Sequence, residues 1–190
     1  PNLKKTDGEI RVGVLGITGN PLNWGHVILS LMAMDQMNLD TVIFLVQGEI
    51  QYKDLPEVDR IPTQERHEIV RDVLMDFYPL IRYTDVGYGH NRIGEFTAPD
   101  LLKLNPSQKI KLVYISGSET KERTIRIAGN LWKIILDNQL LLNPIHKLAW
   151  AVIPRGEGKF GRDISQNNLN TLLKENKVPL EARVIADPDI

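Results

Sequence analysis

The chain of 190 residues contains no cysteine, so neither a disulfide nor a thiolate metal site can hold it together. That fits a reducing cytoplasmic setting without requiring it. No run approaches the ~18 consecutive apolar residues of a membrane-crossing helix, so no membrane span is expected. A dominant charge is missing too. Lys and Arg number 23 against 24 Asp and Glu, a net charge of −1, which leaves no global field to draw nucleic acid or an anionic membrane. Residues 1–5 lead into polar sequence rather than the apolar core of a secretion signal. Histidines are few, and His67, His90 and His146 lack the spacing of a zinc site, which needs three or four convergent ligands. The motifs H-E-x-x-H, G-x-S-x-G and G-x-x-x-x-G-K are absent, as are internal repeats and low-complexity segments. What remains is 42% apolar and 25% charged, the make-up of one ordinary globular domain over residues 1–190.

The chain is organised around residues 10–37. A short apolar run from Ile10 through Leu15 reads as a buried strand. A turn rich in glycine follows, with Gly16, Gly19 and Gly25. Then Val27, Ile28, Leu31 and Met32 recur at helical spacing, so a helix begins near His26. Strand, glycine turn and helix start make a natural phosphate site, because the first helical N–H groups have no intrahelical partner and the dipole is positive there. His26 in the first turn could aim one more donor at the same anion. The same turn can also be read as a capped βα junction with Asn as the cap and no ligand.

Further strands are expected at Thr41–Val46, Leu80–Val86, Ile110–Ser116, Leu148–Ile153 and Ala182–Ala186. Between them, Thr63 caps a helix with Ile69, Val70, Val73, Leu74 and Phe77 on one face. Thr97-Ala98-Pro99-Asp100 has the form of a capping box. Residues 120–142 read as helical with a break near Gly129-Asn130, and 166–176 as another helix. Strands alternating with helices predict an α/β, Rossmann-like parallel sheet with helices on both faces. Ligands of such sheets bind beyond the strand carboxyl ends. The first glycine turn, the loop before Thr97, the Gly117 turn and the Arg155 turn all fall there.

Gly16-Ile17-Thr18-Gly19-Asn20-Pro21-Leu22-Asn23-Trp24-Gly25-His26 resembles the G-x-[ST]-F-[DN]-P-x-H-x-G-H signature of the HxGH nucleotidyltransferase superfamily. Within it, the stretch looks most like the nicotinate/nicotinamide mononucleotide adenylyltransferases. Gly16, Thr18, Asn20, Pro21, Gly25 and His26 fit. Gly19 stands where the family has Phe, and Asn23 where it has the first His of H-x-G-H. The resemblance runs in order from Ile10 to Ile190 and implies an HxGH nucleotidyltransferase fold. It also implies transfer of the adenylyl group of ATP, with Mg²⁺, to nicotinate or nicotinamide mononucleotide, releasing pyrophosphate. On this reading His26 and the backbone of Ile17 and Thr18 hold the ATP phosphates and Asn23 assists.

The resemblance assigns further residues. Gly94-Glu95-Phe96-Thr97 is similar to the family's S-Y-T segment, so the backbone around Phe96 and Thr97 is expected to meet the pyridine. Gly117-Ser118-Glu119 stands for G-x-D, with Gly117 admitting the nucleotide and Glu119 taking its ribose hydroxyls. Trp132 is a candidate for stacking on the pyridine, although Leu131, Ile134 and Ile135 around it suit a core Trp equally. Lys53 and Arg66 are candidates for the mononucleotide phosphate. Arg155, in Ile153-Pro154-Arg155-Gly156, is a candidate for the adenylate side.

The superfamily's second signature, I-S-S-T-x-I-R, has two candidate places. Ile164-Ser165-Gln166-Asn167-Asn168-Leu169-Asn170 shares only its Ile and Ser. Arg183 through Ile190 looks like the strand and turn leading into the motif, so that the signature and its helix are expected beyond Ile190. The partners expected are small-molecule mononucleotides, not nucleic acid or membrane, with room for a homo-oligomer. Two other functions stay open: a weak or inactive nucleotide-binding relative, and a related transferase acting on another phosphate acceptor.

Overall fold

The computed structural model describes residues 8–48, 56–89, 94–118, 120–143, 145–155, 161 and 163–185. Six strands form one sheet: β1 (Ile10–Ile17), β2 (Thr41–Val46), β3 (Ile81–Thr84), β4 (Ile110–Ser118), β5 (His146–Pro154) and β6 (Ala182–Val184). Their order is β3-β2-β1-β4-β5-β6 and every pairing is parallel, as the alternation of elements predicts. The central strands are apolar almost without interruption because both of their faces are covered. All six residues of β2 are buried.

Two helices, α1 (Trp24–Met37) and α2 (Thr63–Leu74), carry the chain from β1 to β2 and from β2 to β3. Val27, Ala33, Val70 and Leu74 of these helices pack on one face of the sheet with Val42 and Phe44. Short helices α3 (Gly94–Thr97) and α4 (Asp100–Lys103), then α5 (Lys121–Asp137) and α6 (Gln166–Glu175), serve the second half of the chain. Leu101, Ile127, Leu131 and Leu169 pack on the other face with Val12, Ile43 and Trp150. The sheet therefore winds outward in opposite directions from β1 and from β4. The helices that follow these two adjacent strands sit on opposite faces, so a crevice opens above their carboxyl ends.

Several sequence expectations are corrected. The helix after β1 begins at Trp24, two residues before His26, because the Asn23 side chain caps it. Thr63 is not the cap of α2; Pro62 precedes the helix, and the Thr63 hydroxyl instead accepts a bond from Arg66 Nη2 at 3.0 Å. No capping box forms at Thr97–Asp100: Thr97 ends α3, and α4 starts behind Pro99 with no side-chain cap. The expected break near Gly129-Asn130 is absent, and α5 runs unbroken for 17 residues. Gly129 faces open space while Ala128 and Leu131 hold the helix in the core, and that packing outweighs the ~1 kcal/mol helix penalty of glycine. Ile69 and Val73 lie on the exposed side of α2, 39% and 44% accessible, and Ile28 of α1 is also exposed. Among the described residues no helix is long and apolar enough to cross a membrane.

Candidate active site

A cleft of about 560 Å³ opens above β1 and β4, within the 300–1,000 Å³ usual for small-molecule sites. Gly16, Ile17 and Thr18 form one edge, with His26 and Leu29 of α1 behind them. Tyr114, Ser116 and Gly117 of β4, Gln47, Glu95, and Arg123, Arg126 and Arg155 also line the cleft.

The first turn of α1 is built by a reciprocal pair. The Asn23 Oδ1 accepts the His26 N–H at 3.2 Å, and His26 Nδ1 accepts the Asn23 N–H at 3.2 Å. A ring nitrogen that accepts a backbone N–H cannot carry the proton, so in the neutral ring Nε2 is the donor. No acidic residue occupies this turn, so nothing within it neutralises the positive end of the helix. The Asn23 amide oxygen is thus spent on capping, while the Asn23 backbone N–H fixes the His26 ring. The glycine turn itself uses Gly19 at φ +71°, where a side chain would be strained. Asn20 ties the turn to the chain before α2: its Oδ1 accepts the Ile61 N–H at 2.7 Å and its Nδ2 donates to the Asp59 carbonyl at 3.0 Å.

Arg66 has a setting other than the one the sequence suggested. It is 6% exposed, and its guanidinium donates to the carbonyls of Ile61, Thr18, Gln47 and Gly48 and to the Thr63 hydroxyl, at 2.6–3.1 Å. The fork is engaged on all three nitrogens by the loops that frame the cleft. His67 beside it is also buried. Its Nε2 lies 3.1 Å from the Gln47 carbonyl, a bond only an N–H can make, so Nδ1 accepts the Tyr83 hydroxyl at 2.6 Å. Burial lowers the His67 pKa below its ordinary 6.5 against the opposing pull of that carbonyl, and burial pushes the Tyr83 phenol up to about 12. The Gln47 carbonyl thus accepts from both Arg66 and His67, while its N–H donates to Ile17 at 3.0 Å. Its side chain lines the cleft from a pinned backbone.

The bare Cα atoms of Gly16 and Gly94 approach one another, and the Tyr114 hydroxyl abuts both. A Cβ on Gly16 would lie 3.3 Å from that oxygen, and one on Gly94 would lie 3.2 Å from it. The hydroxyl donates to Glu95 Oε2 at 3.2 Å. Of the segment that resembles S-Y-T, Glu95 lines the cleft. Phe96 and Thr97 do not: Phe96 packs half-buried on the core and Thr97 is buried. Trp132 likewise packs half-buried against the core and takes no part in lining the cleft. Arg155 reaches across the bare backbone of Gly117, in the space the sequence reading left for a nucleotide. Lys53 and Glu119 lie outside the described residues, as do residues 186–190. The alternative second signature at Ile164 is spent on structure. Ile164 is core, and Ser165 and Asn168 form the capping box of α6.

Sequence reasoning missed Gln47, Glu95, Tyr114, Arg123 and Arg126. Gln47 follows directly on the last residue of β2, where parallel sheets bind ligands. Arg123, Arg126 and Ile127 share one helical face by their i, i+3, i+4 spacing. Those were readable signals. Nothing local marks Glu95.

The chain is similar to proteins named probable nicotinate-nucleotide adenylyltransferase. It is 31% identical over 94 residues to the one from Lachnoclostridium phytofermentans, covering 50% of this chain and 45% of that protein. It is 30% identical over 117 residues to one from Dehalococcoides mccartyi, covering 60% and 55%. The chain thus matches about half the length of these curated relatives. No family model matches it. Among solved structures it shares its fold with Plasmodium falciparum nicotinic acid mononucleotide adenylyltransferase complexed with NaAD, at TM-score 0.60 and 15% identity, over 95% of this chain and 77% of that one. The same enzyme complexed with APC gives 0.58. The resemblance drawn from the Gly16–His26 stretch is borne out.

Proposed function

We propose that this chain transfers the adenylyl group of ATP to nicotinate or nicotinamide mononucleotide. The observation that carries the reading is the convergence, in one cleft, of the α1 start with His26, the Gly16–Thr18 edge and three arginines. A phosphate oxygen of the mononucleotide attacks the α-phosphorus of ATP. The bond from that phosphorus to the bridging oxygen breaks, and pyrophosphate leaves with the electron pair. Such a step needs no covalent enzyme intermediate; positioning and charge neutralisation supply the catalysis.

His26 Nε2–H and the first N–H groups of α1 hold the triphosphate, with the Ile17 and Thr18 backbone beside them. The Asn23 side chain caps α1, and its backbone N–H fixes the His26 ring. Arg66 holds the surrounding loops, so the anionic charge falls to Arg123, Arg126 and Arg155. The magnesium that travels with ATP belongs to the substrate, held by phosphate oxygens and water; among the described residues no three His, Asp or Glu side chains converge. Given ATP, Mg²⁺ and either mononucleotide, the protein should release pyrophosphate, and His26→Ala should cut the rate without unfolding the domain. Unchanged turnover in that variant would remove the assignment. The capping role of Asn23 favours one second reading, a nucleotide-binding relative that holds ATP and transfers nothing. ATP binding without pyrophosphate from either mononucleotide identifies it.

A further inference from the structure

Glu95 is the acidic side chain among the described residues that line the cleft, and it is 9% exposed. Its Oε2 receives the Tyr114 hydroxyl at 3.2 Å. Among the described residues no basic group forms an ion pair with it, and no buried side-chain oxygen is left without a partner. The second carboxylate oxygen therefore meets the open space of the cleft. A carboxylate is an acceptor only. It rewards a ligand that brings an N–H or O–H donor and repels one that brings another anion. Arg123 and Arg126 project into the same space from the first two turns of α5, and they are donors only. The lining of the one cleft thus combines an acceptor-only group with donor-only groups.

We propose that Glu95 reads a donor group of the mononucleotide and so sets which way round it lies. Its phosphate, and any ring carboxylate, face the arginines, and its donor edge faces Glu95. This rests on the mononucleotide reading above. The donor is either a ribose hydroxyl, present in both candidate substrates, or the carboxamide, present only in nicotinamide mononucleotide. Tyr114 is a positioning residue for this contact, since its hydroxyl holds one carboxylate oxygen and is itself held between Gly16 and Gly94.

Titration calorimetry with each mononucleotide tests it, on the wild-type chain and on Glu95→Gln, which keeps the shape and loses the charge. The expected loss in affinity is about tenfold, the size of a charge-assisted bond weakened to a neutral one. A loss confined to nicotinamide mononucleotide identifies the carboxamide as the donor. An equal loss with both identifies the ribose. Unchanged or tighter binding of both overturns the proposal. Should Glu95→Gln fold poorly, Tyr114→Phe keeps the charge and frees its anchor; the same pattern at smaller size is expected, and no change counts against it. Pyrophosphate release is scored separately. Binding that depends on Glu95 without release removes adenylyl transfer and leaves this inference standing. Normal release indifferent to Glu95 does the reverse, and no binding of either nucleotide removes both.

Discussion

Arg155 lies on Gly117: a Cβ added to that glycine would collide with the Nε of the arginine. The strand end and the cation therefore form one unit. Arg155→Ala should weaken ATP binding by about 1 kcal/mol, as expected for an exposed cation on a phosphate. Gly117→Ala should weaken it in the same direction, by displacing the guanidinium rather than removing it. Calorimetry on the double variant checks the coupling. A loss no larger than that of the worse single variant supports the unit, and strictly additive losses argue that the residues act apart.

Asn23 and His26 predict a separation of stability from binding. Asn23→Ala removes a helix cap and should cost about 1 kcal/mol, read as a Tm lowered by a few degrees. Asn23→Ser keeps an acceptor and should hold most of the stability. Asn23→His restores the residue seen in the H-x-G-H signature but sacrifices the cap, so it should be no more stable than Asn23→Ala. Equal melting temperatures for wild type and Asn23→Ala would show that the cap contributes nothing.

Arg66→Lys should be strongly destabilising, by on the order of 3 kcal/mol, because an ammonium cannot reach four carbonyls on the two connections that follow β1 and β2. Urea denaturation measures it. A variant with the wild-type midpoint but no affinity for the mononucleotide would instead restore Arg66 to the role of ligand cation.

Acid stability should depend on His67. Its pKa in the folded chain is below 6.5, so the unfolded chain takes up the proton first. The stability it contributes is present above pH 6.5 and lost as the pH falls through the folded value. Tyr83 works at the other end: with its phenol raised from 10.0 to about 12, stability is present below pH 10 and lost between 10 and 12. Melting curves at pH 7.5, 6.5 and 5.5 should show a shallower acid loss in His67→Gln than in wild type. Parallel curves would mean that other groups govern the acid limb.

The strands were legible because a parallel sheet buries them on both faces. Thr41–Val46 is a continuous β-branched and aromatic run, and it is β2 to the residue. Helix faces were less so. Ile69 and Val73 look buried by period, but α2 covers the edge of the sheet, where only Val70 and Leu74 reach the core. The glycine turn and the capped start of α1 were legible from glycine, asparagine and histidine at fixed spacing. What a cation does was not. Arg66 and Arg126 are the same residue type beside the same cleft; the fork of one is closed by distant carbonyls, and the other lines the cleft. Those carbonyls come from Thr18, Gln47, Gly48 and Ile61, a set no local pattern reveals.

The strand order has a bearing on how the protein comes to be made. The Gly16–Thr18 edge and Gln47 come from the first quarter of the chain, and Tyr114, Gly117 and the three arginines come from residues beyond 110. They meet where Ile10 pairs with Ile110. A ribosome releases β1, β2 and β3 long before β4, so the emerging first half has one side of a binding site and nothing opposite it. Pairing across so long a separation is slow to form. A ligand of the cleft can reward only the finished chain, by about 2.7 kcal/mol at a hundred times its dissociation constant. A ligand held in the cleft would therefore lock in the last strands to be synthesised.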